Sequence, residues 1–152
     1  PEPHFERLEL NGFLDQAITL FDEDQAKIHF QPNNTLLWVS ADKDMLNQVL
    51  HNLLLNAKQA TDNTAEAQIC VKVSVEEDHV EIAIEDNGIG IDTDQQARIF
   101  TPYFTTKSSG SGIGLSVVRQ IIEKHNGSIR FESTPNQGTT FYIRLTLLSE
   151  RS

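Results

Sequence analysis

The stretch Glu85-Asp86-Asn87-Gly88-Ile89-Gly90-Ile91 closes a run in which Val80, Ile82 and Ile84 alternate with Glu81, Ala83 and Glu85. Alternation with period two predicts a strand with one buried face. The strand ends in an acid followed by two glycines. Glycine accepts positive φ and lets another group approach the backbone closely. A carboxylate at such a strand end can accept a hydrogen bond from a ligand amino group. The same residues also make a good ordinary turn, because Asp-Asn-Gly is turn chemistry. Alone, the heptapeptide leaves site and turn both open.

A second glycine cluster, Gly110-Ser111-Gly112-Ile113-Gly114-Leu115, opens a helical pattern further on. Free N–H groups and the positive end of the helix dipole at such a start suit phosphate. The cluster is not a dinucleotide fingerprint, since the third glycine comes one residue early and no strand leads straight into it. It is not a P-loop either, since no Gly-Lys-Ser/Thr follows. Together the two clusters suggest a nucleotide, its adenine at Asp86 and its phosphates at 110–114.

The 152 residues fit one domain with a full core. No apolar run is long enough to span a membrane, and no signal-peptide pattern opens the chain. Cys70 is the only cysteine, which excludes a disulfide framework and a cysteine-rich metal site. It reads as a small packing residue, and the composition implies a reducing, cytoplasmic setting. The formal net charge of −10 argues against non-specific nucleic-acid binding. A nucleotide bound to so acidic a chain is expected with Mg²⁺ as a neutralising partner.

Working outward, residues 1–8, which open Pro1-Glu2-Pro3, read as a linker, and 9–149 as the domain. Phe13, Leu14, Ala17, Ile18 and Phe21 have helical spacing, with Asn11 a candidate N-cap. The alternating stretch 27–31 and the apolar run 36–39 flank Pro32-Asn33-Asn34, which reads as a hairpin connection. Asp42 then caps a long helix, Lys43–Ala60, whose buried stripe is Leu46, Val49, Leu50, Leu53, Ala57 and Ala60. Asn52 and Asn56 stand four residues apart at the edge of that stripe, and Gln59 continues the row. Their carbonyl oxygens could face a cation or a phosphate; the plainer alternative is helix surface.

Ile69, Val71, Val73 and Val75 form the next alternating strand, turned at 76–78 into the one that ends at Asp86. Residues 92–98 suggest a short helix. Phe104, Thr105, Thr106, Lys107 and the residues to Gly110 suggest a mobile loop able to close over phosphates. Val117, Val118, Ile121, Ile122 and His125 predict a helix with Gly127 as its C-cap, His125 meeting the terminal carbonyls. Ile129 and Phe131 start a strand, 135–138 turn it, and Phe141, Ile143, Leu145 and Leu147 complete the last. Strands apolar on one face only need helices on that face alone. The expected class is α+β: a two-layer α/β sandwich with a mixed, mostly antiparallel sheet.

Five motifs in this order resemble the catalytic domain of sensor histidine kinases. The run 46–57 resembles their N box, Asp86-Asn87-Gly88-Ile89-Gly90 the first glycine box, and 99–107 the F box. Gly110-Ser111-Gly112-Ile113-Gly114-Leu115 resembles the second glycine box, and Gly138-Thr139-Thr140-Phe141 the Gly-Thr turn before the last strand. The likeness covers nearly the whole chain and is strongest to the nitrogen-regulation and dicarboxylate-sensor type. It implies the Bergerat ATP-binding fold shared with gyrase, MutL and heat-shock chaperone ATPases.

By that resemblance Asn56 binds Mg²⁺, Asn52 lies near the phosphates, and Asp86 takes the adenine amino group with Thr139 supporting it through water. Gly88 and Gly90 make room for the base beside Ile91. Phe104, Thr105, Thr106, Lys107, Gly110, Ser111, Gly112, Ile113, Gly114 and Leu115 belong to the ATP lid. Lys107, Asn52 and Asn56 are the catalytic candidates. Gln59 takes the place of a basic residue found in many members, with Lys58 one residue early.

The related ATPases carry a glutamate where Asn52 stands, used as a general base on water, and an amide cannot do that. Phosphoryl transfer is thus favoured over hydrolysis. His4, His29, His51, His79 and His125 all lack the acid that follows the family's phosphoacceptor histidine. The resemblance therefore implies, as partners, a dimerisation domain carrying that histidine upstream and, indirectly, a response regulator. It implies no nucleic acid and no membrane contact for this domain. The alternatives are a stand-alone serine kinase or ATPase of the same fold, and a non-catalytic nucleotide sensor.

Overall fold

The computed structural model describes residues 2–22, 28–102 and 114–149. In chain order they form β1 (Glu6–Glu9), α1 (Leu10–Phe21), β2 (Ile28–Gln31), β3 (Trp38–Ala41), α2 (Lys43–Ala60), β4 (Ile69–Glu76) and β5 (His79–Asp86). A 3-10 turn (Gln96–Arg98), α3 (Gly114–Lys124), β6 (Ser128–Thr134) and β7 (Gly138–Thr146) follow. Five strands make one sheet in the order β2-β4-β5-β7-β6, antiparallel throughout except for the parallel β2–β4 pair.

Alternation does what the sequence predicts. Val71, Ile82, Ile84, Phe141 and Ile143 are buried on one face, while Lys72, Glu85 and Arg144 stand exposed on the other. The buried face meets Leu14 and Ile18 of α1, Leu46, Leu50, Leu53 and Leu54 of α2, and Val118 and Ile122 of α3. Each such side chain contributes roughly 1.5–3 kcal/mol by leaving water. The open face carries ion pairs instead, such as Lys72–Glu85 at 3.7 Å and Arg130–Glu81 at 3.6 Å. Exposed pairs contribute about 0–1 kcal/mol each, so the helix-covered face decides the stability. The two-layer α+β sandwich is the observed fold. Cys70 is half-buried on the open face, outside the apolar core.

Several local readings change. Residues 32–37 do not close a hairpin: β2 joins β4, whereas β3 pairs antiparallel with β1 in a separate two-stranded sheet. Strand β1 lies partly within the stretch read as linker. Side chains of the first turn of α1 and the residue before it hold the crossing. Asn11 accepts from Asn33 N–H (3.0 Å) and donates to Asn33 O (3.1 Å) and Thr35 O (2.8 Å). With its amide so engaged, Asn11 does not cap α1. Glu9 does, accepting from Gly12 N–H at 2.8 Å and Asn11 N–H at 3.2 Å, and also from Leu37 N–H at 2.8 Å.

The end of α3 is a Schellman turn: Gly127 N–H reaches Ile122 O at 3.0 Å and Asn126 N–H reaches Glu123 O at 3.0 Å. The left-handed residue is Asn126 (φ 58°), not Gly127. Gly127 is small for another reason, since a Cβ there would lie 2.4 Å from Arg144 O. Residues 92–98 hold only turns and the short 3-10 segment.

Asp42 caps α2 as expected, accepting from Met45 N–H at 3.0 Å, and it also takes His4 N–H at 2.8 Å. These two N–H groups, Met45 first, hold its carboxyl below the usual carboxylate range. Buried His125 accepts Asp42 N–H on Nε2 (3.0 Å), so its proton sits on Nδ1, which donates to Ile121 O (2.8 Å). This neutral imidazole ties the start of α2 to the end of α3, and Phe5 packs edge-on against it at 5.1 Å.

Candidate functional site

Helix α2 is the ruler of the site. Its C-terminal turn receives the loop that follows β5. Ile89 N–H donates to Ala60 O at 3.0 Å, and a Cβ on Gly88 would lie 2.3 Å from that oxygen. Gly88 is therefore small chiefly so that the loop can dock on the helix, which the sequence does not reveal. Eight residues earlier on α2, Asn52 meets the first residue of α3. A Cβ on Gly114 would lie 3.3 Å from Asn52 Oδ1. Eight residues of helix span about 12 Å. Asn56 lies midway, half-buried, with Gln59 near the loop end; Lys58 is exposed.

Asn52 Nδ2 donates back along the helix to Gln48 O at 3.0 Å. Its carbonyl oxygen is thereby the atom presented toward Gly114. Leu115 of α3 is half-buried against the core. Phe104, Thr105, Thr106, Lys107, Gly110, Ser111, Gly112 and Ile113 lie outside the described residues.

At the other end, Asp86 is only 8% exposed, and Oδ1 accepts Gly88 N–H at 2.9 Å. Opposite Asp86 in register stands Thr139, also buried. Gly138 precedes it with φ 129°, and a Cβ there would lie 2.0 Å from Asp86 O. Gly90, at φ 72°, packs against Thr134 in the β6–β7 turn. The two chain segments are further joined by Asn136 N–H to Ile89 O at 2.7 Å. Gly138→Ala is expected to lower the midpoint of urea unfolding strongly. The backbone conformation alone disfavours a side chain by about 1–3 kcal/mol, and the clash with Asp86 O adds to it. An unchanged midpoint would contradict the close approach.

The structure also brings in residues the sequence reading passed over. Ser133 Oγ accepts Ile91 N–H at 2.8 Å and lies 2.8 Å from Thr139 Oγ1. Gln96 Nε2 donates to Ile91 O and Ser133 O. Asn87 holds the neighbouring loop through Gln68 N–H at 2.8 Å and Glu66 O at 3.1 Å. Ser133 did leave a signal. It occupies the position where Ile129 and Phe131 would be continued by an apolar residue, and all three share a half-buried face.

A recess on the open face, lined by Cys70, Glu85, Glu132 and Thr140, reaches Asp86 and Thr139 from behind. Its carboxylates repel phosphate.

Residues 41–149 match the family of histidine kinase-, DNA gyrase B- and HSP90-like ATPases. The chain belongs to this family and is an ATP-binding catalytic domain of the histidine-kinase type. The nucleotide-free catalytic domain of histidine kinase ThkA superposes with a TM-score of 0.82 at 32% identity, over 94% of this chain and 95% of that one. The sensor histidine kinase ZraS of Escherichia coli (strain K12) is 41% identical over 91% of this chain and 30% of its own length. The signal transduction histidine-protein kinase AtoS of the same organism is 38% identical over 94% of this chain and 24% of its own. The chain thus spans about a third or less of these two relatives. Among the described residues, no helix is long and apolar enough to cross a membrane.

Proposed function

We propose that this chain is the cytoplasmic catalytic part of a membrane-bound two-component sensor kinase. It would bind ATP with Mg²⁺ along α2 and pass the γ-phosphoryl group to a histidine on a dimerisation domain, for onward transfer to a response regulator. Residues 9–149 would form the catalytic unit and 1–8 the link to the dimerisation domain, with β1 docking part of that link. The observation that carries the reading is the Asn52–Gly114 contact at one end of α2 and the Gly88–Ala60 contact at the other. On this reading the Asn52 amide oxygen beside Gly114 would face the phosphates, and buried Asp86, beside the Gly88 loop, would face the base.

Asp86 would accept the adenine amino hydrogen, and Thr139 would support it. Gly90 and Ile91 would border the base. Asn52, Asn56 and Gln59 would line the phosphates, while Gly114, Leu115 and the stretch 104–113, Lys107 included, would cover them. Amide oxygens suit a hard cation such as Mg²⁺, Asn52 presents its own toward Gly114, and Asn56 is the residue we assign to the ion. When bound, the ion would neutralise charge on the transferring phosphates. The protein's own task is to hold the chain of phosphates straight and the base fixed, so catalysis is mostly positioning.

The test is Asp86→Asn. An amide can turn an N–H toward the adenine amino group, and a charge-assisted bond is lost. Such a loss costs about 1.5–3 kcal/mol, roughly ten- to hundredfold in affinity. Calorimetric titration of ATP into a folded variant with wild-type affinity would remove Asp86 from the site.

A further inference from the structure

We infer that Gln96 is a positioning residue for the base end of the nucleotide site, acting through Ile91 and Ser133. The inference deepens the reading of Asp86 and Thr139 given above and rests on it.

Gln96 sits in the 3-10 turn, half-buried, outside every motif that the resemblance supplies. Its amide nitrogen donates to Ile91 O at 3.0 Å and to Ser133 O at 3.2 Å. A primary amide has two hydrogens, so one nitrogen can serve both carbonyls. Those carbonyls belong to the two segments that flank Asp86 and Thr139. One closes the loop 87–91, and the other lies in β6.

Across the same gap Ser133 Oγ accepts Ile91 N–H at 2.8 Å. Both backbone polar groups of Ile91 are thus held by side chains. The near end of the loop is fixed by Gly88 N–H on Asp86 and Ile89 N–H on Ala60 O. Gln96 and Ser133 fix its far end.

The consequence reaches Thr139. Ser133 Oγ has a single hydrogen and stands 3.2 Å from Gly138 O and 2.8 Å from Thr139 Oγ1. With one lone pair committed to Ile91 N–H, its hydroxyl has few orientations left, and so has the hydroxyl of Thr139. Releasing Ile91 would free Ser133 to turn and would blur the hydrogen-bonding face that Thr139 offers beside Asp86. The same turn leads into Phe100, which packs edge-on against Phe131 at 5.9 Å. Gln96 therefore also ties the base end to the segment that runs toward 103–113.

Gln96→Glu tests this, because it keeps the shape and removes both N–H donors at neutral pH. A carboxylate would then face two carbonyl oxygens. At pH 8 the variant is expected to bind ATP about tenfold more weakly than wild type while staying folded in the absence of urea. As pH falls toward 5 the carboxyl begins to protonate and regains one donor. Its affinity relative to wild type at the same pH should rise, while Gln96→Ala, equally weakened, should show no such recovery. Wild-type affinity in Gln96→Glu at pH 8 would overturn the inference. So would a loss that does not recover at pH 5, since that is what a merely structural role gives. Asp86→Asn in the same series keeps the two readings apart. If it too binds ATP normally, the base-end assignment itself fails; if it alone is weakened, only the role of Gln96 does.

Discussion

Asn56→Ala in a kinase carrying its dimerisation domain is expected to lose phosphoryl transfer by about a hundredfold or more, while ATP binding falls much less. Asn56 is held one helical turn from Asn52 and one from Ala60, by the helix that spans both ends of the site. Its neighbours Leu53 and Ala57 are buried to within 2% exposure, so the helix cannot turn to bring another side chain into that place. Removing the amide leaves the buried stripe intact. What is lost is an oxygen fixed on a rigid element, which the terminal phosphates need for alignment more than the base needs for binding. Asp86, proposed to hold the adenine, lies toward the other end of the helix and is untouched. The measurement is transfer of label from γ-labelled ATP at saturating Mg²⁺, paired with ATP titration. Transfer at the wild-type rate would remove Asn56 from the phosphate end. An equal fall in binding and transfer would make it a general binding residue instead.

The sheet was legible because its strands alternate over eight or nine residues, and each alternating residue meets a helix or water. Helix α2 was legible for the same reason, with Asp42 marking its start. Short elements were not. Whether residues 28–31 and 38–41 pair with each other depends on partners far away in sequence: β4 for one, β1 for the other. Nothing in Pro32-Asn33-Asn34 distinguishes a hairpin from a crossing, because the decision is made by Asn11 and Glu9, which clamp that connection from α1 and the residue before it. Capping by Glu9 in place of Asn11 follows from the same competition for side-chain bonds.

The glycines show a related limit. Their pattern marked the candidate site, yet the packing reason for two of them was hidden. Gly88 and Gly138 leave space for neighbouring backbone, Ala60 O and Asp86 O, and only then for a ligand. Ser133 and Gln96 were missed because they act on backbone carbonyls and a hydroxyl, contacts that leave little periodic trace. Lys107 and the stretch 104–113 rest on the sequence and the resemblance, since they lie outside the described residues.

The chain alone is expected to bind ATP with Mg²⁺ but neither to label itself nor to hydrolyse ATP quickly. Among its five histidines, His125 is buried with both ring nitrogens engaged, by Asp42 N–H and Ile121 O. His51 packs edge-on against Phe21 at 5.6 Å, and His79 Nδ1 lies 2.8 Å from Asp78. None of the five is followed by an acid. Hydrolysis should be slow because Asn52 stands where a base would be needed. Its amide has no basic lone pair, and its nitrogen donates to Gln48 O. General-base assistance is worth about 10²–10⁴ in rate, so its lack should hold turnover that far below an ATPase of the same fold. A histidine-bearing dimerisation domain should restore transfer, because an imidazole needs no base of the catalytic domain to attack in line with the γ-phosphate. The experiment incubates the chain with γ-labelled ATP, with and without that domain. Rapid phosphate release from the chain alone would make it an ATPase. Tight binding with no transfer even to its dimerisation domain would make it a nucleotide sensor.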